Sequence, residues 1–105
     1  MPKDIDIIIY GATGFTGQLC VKYFQSLNTG VKWAIAGRNQ QKLQKVALDN
    51  SVEVDILIAD SDDEAALDIL TSRAKVILST TGPFHRYGSK LVASCVKNSA
   101  NYVDI

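Results

Sequence analysis

The segment Gly11-Ala12-Thr13-Gly14-Phe15-Thr16-Gly17 carries the residue types and spacing that most directly imply chemistry. Glycines at 11, 14 and 17 make a GxxGxxG pattern, whose last two members match the end of the dinucleotide fingerprint GxGxxG while the first stands one place early. Gly11 lets the chain leave a strand sharply, Gly14 removes the Cβ where a pyrophosphate must approach the backbone, and Gly17 lets helix and strand pack closely. The N–H groups of Gly14, Phe15 and Thr16, expected to be free at a helix start, would make an anion site reinforced by the helix dipole. Three glycines in seven residues could simply form a flexible turn, but the flanks, a strand before, a helix after and a second strand, make a full βαβ unit and favour nucleotide binding. An apolar run precedes them, an amphipathic segment follows, and a second strand ends near residue 36. The missing Gly-Lys-Ser/Thr ending excludes a P-loop.

A second chemical cluster is Gly37-Arg38-Asn39. A dehydrogenase that selects the unphosphorylated cofactor places Asp or Glu about 20 residues beyond the glycine motif, where it holds the ribose 2′-hydroxyl. Gly37 occupies that place and offers no carboxylate. Arg38 beside it has a planar, permanently charged fork suited to a 2′-phosphate, and Asn39 can add a neutral donor. The expected cofactor is therefore NADP in preference to NAD, the alternative being that Arg38 is an ordinary exposed turn residue. His85, Arg86 and Tyr87 lie in a loop expected to open on the same cleft. His85 could act as an acid near neutral pH, or be a solvent-exposed loop residue without a partner.

These residues must be positioned by alternating strands and helices. Ile5 to Tyr10 is too continuously apolar for a strand buried on one face only, and reads as a central parallel strand with Asp6 near its start. A helix from about Gly14 to Leu27 should bury Leu19, Cys20, Tyr23, Phe24 and Leu27, with Asn28-Thr29-Gly30 as its stop. Val31 to Ala36 is the second strand, and Asn39 caps a helix carrying Leu43, Val46 and Ala47. Val52 to Ala59 is the third strand, closed by Asp60. Asp62, Asp63 and Glu64 then crowd the first turn of a helix whose buried stripe is Ala66, Leu67 and Leu70. Lys75 to Thr80 is the fourth strand. Ser89 can cap the last helix, with Leu91, Val92, Cys95 and Val96 inside, and Asn101 to Ile105 begins a fifth strand. The fold class is α/β, a doubly wound parallel sheet of expected order 3-2-1-4-5 with right-handed crossovers. Ligands bind such sheets at the switch point between strands one and four.

The 105 residues suffice for one domain, at 47% apolar and 21% charged. Zero formal net charge gives no reason to expect nucleic acid or an anionic membrane as partner. No apolar run approaches the ~20 residues of a membrane span, and Met1-Pro2-Lys3-Asp4 lacks a signal-peptide core, so a cytosolic protein is expected. Cys20 and Cys95 have no CxxC spacing and only one histidine for company, so no metal site is expected and both read as buried reduced thiols.

GATGFTG, then Ala36-Gly37-Arg38, Thr81-Gly82-Pro83-Phe84 with Tyr87-Gly88, and Asn101-Tyr102-Val103-Asp104-Ile105 together resemble the N-terminal nucleotide-binding domain of saccharopine dehydrogenase-like oxidoreductases, including the related trans-acting enoyl reductases. The resemblance spans essentially the whole chain. It implies a nicotinamide cofactor lying across the strand ends, with Gly11, Thr13, Gly14, Phe15 and Thr16 meeting the pyrophosphate and Gly17 serving packing. It puts Arg38 at the adenosine ribose, Asp60 near the adenine, and Thr80, Thr81, Gly82 and Pro83 beside the nicotinamide half. Asp60 reads as well as a strand-end acid capping a local turn, and Asp104 could sit at the mouth simply because its strand ends there.

The resemblance further implies a second domain, absent from these residues, that supplies substrate contacts and catalytic groups. The expectation is an NADP-binding domain, residues 1–105, that positions nicotinamide for hydride transfer but is not catalytic alone, with an unpaired strand edge favouring a homodimer. Two other readings stay open: a non-catalytic redox sensor, and an atypical short-chain dehydrogenase. The second is weakened because no tyrosine has a lysine four residues on.

Overall fold

A computed structural model describes residues 3–27, 30–80 and 89–104, and does not describe the side chain of Ser89. The expectations placed on Asn28, Thr29, Thr81 to Gly88 and Ile105, and on Ser89 as a cap, lie outside the described residues.

The chain runs β1 (Ile5–Tyr10), α1 (Phe15–Ser26), β2 (Trp33–Gly37), α2 (Gln40–Asp49), β3 (Asp55–Ile58), α3 (Glu64–Arg73), β4 (Ala74–Ser79), α4 (Ser89–Lys97) and β5 (Asn101–Asp104). All strand pairings are parallel, and the sheet order is β3-β2-β1-β4-β5 as expected. Side-chain alternation divides the interior into two layers. On one face Ile8, Tyr10, Ala34, Ala36 and Ile77 pack with Leu67, Leu70, Leu91 and Cys95 of α3 and α4. On the other, Ile9 and Ile35 pack with Val21, Leu43 and Val46 of α1 and α2. The central strand is covered on both sides, which is why it reads as an unbroken apolar run.

The buried stripe of α1 differs from the expected one. Gly17 and Val21 are buried, with Cys20 and Phe24 packed beside them, whereas Leu19 and Tyr23 are 49% and 62% exposed. The cause is Gly17. An added Cβ there would lie 2.2 Å from the Gly11 carbonyl oxygen, so the helix rests backbone to backbone on the glycine turn. That contact fixes the helix rotation and buries positions three, four and seven residues later. Phe24 then reaches Trp33, ring centroids 5.7 Å apart.

In α4 the inner face is Leu91, Ser94 and Cys95, and Val96 is 78% exposed. Ser94 is drawn inward by hydrogen bonds with the Asp68 carboxylate and the Thr71 hydroxyl, at 2.6 and 2.8 Å. The third strand is shorter than Val52 to Ala59, because β3 lies at the sheet edge and pairs only with Ala34–Gly37 of β2. Val52 and Val54 pack on the α1–α2 layer instead. The second strand likewise starts at Trp33, two residues later than expected. Asn39 and Asp63 cap α2 and α3 by accepting the Lys42 and Ala66 N–H groups, at 3.0 and 3.1 Å. Among the described residues no helix is long and apolar enough to cross a membrane.

Candidate functional site

The carboxyl ends of β1, β2 and β4 surround a groove of about 420 Å³ lined by Tyr10, Gly11, Thr13, Gly14, Gly37, Arg38, Ser61 and Thr80. It lies at the switch point between β1 and β4, where the helices that follow the two strands pack on opposite faces of the sheet.

Gly11 has φ +88°, a left-handed conformation that disfavours any side chain, and its N–H donates to the Ala36 carbonyl at 2.9 Å. Gly14 differs in kind. Its backbone is extended, φ −76° and ψ 171°, and an added Cβ would meet only the Gly11 oxygen, at an ordinary 3.6 Å. The fold itself therefore does not require glycine at 14, and its missing side chain keeps the groove open toward the helix start. Here one expectation is corrected: the Gly14 N–H is not free but donates to the Gly11 carbonyl at 3.2 Å, closing the turn. Among the described residues no backbone carbonyl accepts from Phe15 or Thr16, the first two residues of α1, and Gly14 supplies no side-chain cap. Those two N–H groups form the anion-attracting end of the helix.

At the end of β2, an added Cβ on Gly37 would touch Leu43 at an unstrained 3.6 Å, so packing again does not demand glycine. Arg38 is exposed on the groove wall and makes no ion pair among the described residues. Asn39 stands just outside the lining with its side-chain oxygen committed to capping α2. Asp60 also lies outside it. Its carboxylate accepts the Asp62 N–H at 3.0 Å, which is the local-turn role, and its neighbour Ser61 lines the groove in its place. The exposed side of Phe15 points away from the core, 82% accessible.

Thr80 lines the opposite wall. Its N–H donates to the Tyr10 carbonyl at 2.9 Å, and its hydroxyl lies 3.2 and 3.0 Å from the Tyr10 and Gly11 carbonyl oxygens. The hydroxyl proton is thus used inside the protein, which leaves the Thr80 oxygen able to accept from a ligand but not to donate. Thr81, Gly82, Pro83, His85, Arg86 and Tyr87 lie outside the described residues. Asp104, at the end of β5, pairs in register with Ser79.

Two lining residues escaped the sequence reading, Tyr10 and Ser61. Tyr10 carries the one polar side-chain group in the latter half of β1, and a polar handle on an apolar strand just before the turn is a usable signal. Ser61 gave none beyond its place after a strand. Burial pushes the Tyr10 phenol up to about 12 and the Cys95 thiol up to about 11, so both stay protonated at neutral pH. The Cys20 thiol is raised by burial as well. Among the described residues no three His, Cys, Asp or Glu side chains gather to hold a metal.

A glycine turn at the switch point of a doubly wound parallel sheet, with amide donors at a helix start, defines a Rossmann-type nucleotide-binding domain. The family described as the saccharopine dehydrogenase NADP binding domain matches residues 7–105, and the chain belongs to it. It is similar to the trans-acting enoyl reductase of Mycobacterium tuberculosis, 35% identical over 106 residues, and to that of Mycobacterium ulcerans, 37% identical over 107 residues. Each alignment covers 98% of this chain and 25% of the relative, so the chain spans about a quarter of the length of these proteins. Among solved structures, apo saccharopine dehydrogenase (L-Glu forming) from Saccharomyces cerevisiae superposes with a TM-score of 0.76 at 19% identity, covering 95% of this chain and 21% of that one. A short-chain dehydrogenase/reductase from Veillonella parvula in complex with NADP gives 0.74 at 14% identity, covering 95% and 46%. At those identities the likeness is one of fold.

Proposed function

We propose that the groove seats NADP(H) along the strand ends and presents its nicotinamide, at the Thr80 end, to a substrate held by parts of the parent protein outside these 105 residues. The pyrophosphate meets the Gly11–Thr16 turn, where Gly14 leaves room and the Phe15 and Thr16 N–H groups attract negative charge. Arg38 takes the 2′-phosphate, with Asn39 adjoining, while Ser61 and Asp60 border the adenosine half. Thr80 accepts a hydrogen bond on the nicotinamide side. The bound cofactor supplies the hydride chemistry, and this chain's residues bind and orient it. The relatives' name, trans-acting enoyl reductase, supports reduction of an enoyl double bond as the parent's reaction.

The observation that carries this reading is the end of β2, where Gly37 replaces a ribose-binding acid and an arginine without an ion-pair partner among the described residues faces the groove. A charged hydrogen bond contributes about 1.5 to 3 kcal/mol, so Arg38→Ala should weaken NADPH binding about tenfold to a hundredfold. NADH affinity should change little. Calorimetric titration of both cofactors into both proteins tests it: equal affinities in the wild type, or an equal loss for both on mutation, would remove the Arg38 assignment.

A further inference from the structure

Tyr10 ends β1, lines the groove and is 3% exposed. Its carbonyl accepts the N–H of Thr80 at 2.9 Å, and the Thr80 hydroxyl lies 3.2 Å from the same oxygen, so the backbone of residue 10 holds the end of β4. Its phenol hydroxyl donates to the Ala59 carbonyl at 2.8 Å, 49 residues away and just past the end of β3. β2 stands between β1 and β3, so the side chain and its hydrogen bond together reach across the end of β2 to the chain following β3. The path exists because Ala36, the register partner of Tyr10, is small, as is Ala34 on the same face. The bonded carbonyl starts the turn in which the Asp60 carboxylate accepts the Asp62 N–H, and that turn delivers Ser61 to the groove.

We propose that Tyr10 is the positioning residue of the cofactor groove, tying the β4 wall through its carbonyl and the β3 wall through its hydroxyl so that the adenosine side is set before cofactor arrives. The inference rests on the cofactor reading above and extends it to a residue that does not need to touch the reacting atoms. A preset wall removes an ordering cost from binding, which is how a hydrogen bond inside the protein becomes affinity for a ligand. The phenol, raised to about 12 chiefly by burial, remains a donor throughout the neutral range.

Tyr10→Phe keeps the ring and deletes the bond to Ala59. Amide hydrogen exchange in the ligand-free chain should quicken at Asp62 and Asp63, whose N–H groups donate to the Asp60 carboxylate and carbonyl, each at 3.0 Å. Affinity for 2′,5′-ADP and for NADPH should fall together by about three- to tenfold at a temperature where the variant is fully folded. Ile5→Val, a buried truncation at the opposite end of β1, should lower Tm and leave both affinities unchanged. A Tyr10→Phe variant with lowered Tm but wild-type affinities and wild-type exchange at residues 62 and 63 would overturn the proposal and make Tyr10 a core residue only. If Tyr10→Phe does not fold, Ala36→Val, which obstructs the path of the ring with the hydroxyl still present, carries the same expectations. A wild-type chain that binds neither 2′,5′-ADP nor NADPH overturns the cofactor reading, and the exchange comparison then decides separately whether the clasp exists.

Discussion

A methyl group added at Gly17 would sit 2.2 Å from the Gly11 oxygen and 2.7 Å from the Ala12 Cα, both backbone atoms that cannot step aside. One added at Gly14 would have 3.6 Å of clearance. The two glycines of one motif therefore answer to different demands, and their alanine variants should separate. Gly17→Ala should cost about 1 to 3 kcal/mol or more through overpacking, and displace the turn. Gly14→Ala should cost about 1 kcal/mol or less as a slightly poorer N-cap, yet weaken NADPH binding at least tenfold because its methyl fills space the pyrophosphate needs. Chemical denaturation and cofactor titration of both variants check this: a Gly14→Ala protein with unchanged affinity would displace the phosphate from the glycine turn. The spacing in the sequence already divides the glycines, Gly14 for a ligand and Gly17 for helix packing, but gives no clearance at either. Those clearances depend on how closely α1 approaches the turn, a property of the packed helix. Tyr10 shows the same limit, since its partner carbonyl lies 49 residues away.

At the scale of elements, α3 and α4 meet through a polar seam on the apolar layer. The Asp68 carboxylate accepts from Lys97, at 2.7 Å, and from Ser94, and these hydrogen bonds hold its carboxyl below the ordinary value of 3.8. Asn98 completes the seam by donating to Thr71 at 3.0 Å. A carboxyl whose folded pKa is depressed contributes stability that is present above its unfolded pKa and lost as pH falls through the folded one. Asp68→Asn should therefore lower Tm at neutral pH, with the difference from wild type closing below pH 3.8. Melting curves across that range test it, and a difference that persists unchanged in acid would rule out the carboxylate as the cause. This seam also explains why the faces of α4 were misread. Apolar periodicity places Val96 inside, whereas a buried hydrogen bond turns Ser94 inward. The order of elements was legible because each strand and helix has its own period, and the edge strand β3 was overextended because pairing, limited to Ala34–Gly37 of β2, decides where it stops.

For the whole molecule, two apolar layers fix a five-stranded sheet, and its carboxyl end gathers the glycine turn, the end of β2, the turn after β3 and the end of β4 into one groove. The opposite end is closed differently: Lys3 donates to the Thr71, Ala74 and Asn98 carbonyls at 2.9, 2.9 and 2.7 Å. The described residues place no paired acid and base in the groove, and Tyr10 is committed to Ala59. The 105-residue chain, which spans about a quarter of the length of the relatives it matches, is expected to bind NADPH without oxidising it in the presence of carbonyl or enoyl substrates, as followed by nicotinamide absorbance. Turnover by this chain alone would refute that division of labour. The central claim, that NADP(H) occupies the switch-point groove, is tested most directly by two-dimensional amide NMR of the isotope-labelled chain titrated with NADPH. Shifts should concentrate at Gly11, Thr13, Gly14, Phe15, Thr16, Arg38, Ser61 and Thr80, while Asp6, Lys75 and Asn101 at the far end of the sheet stay still. Saturable shifts confined to the far end, or none at millimolar NADPH, would contradict the account.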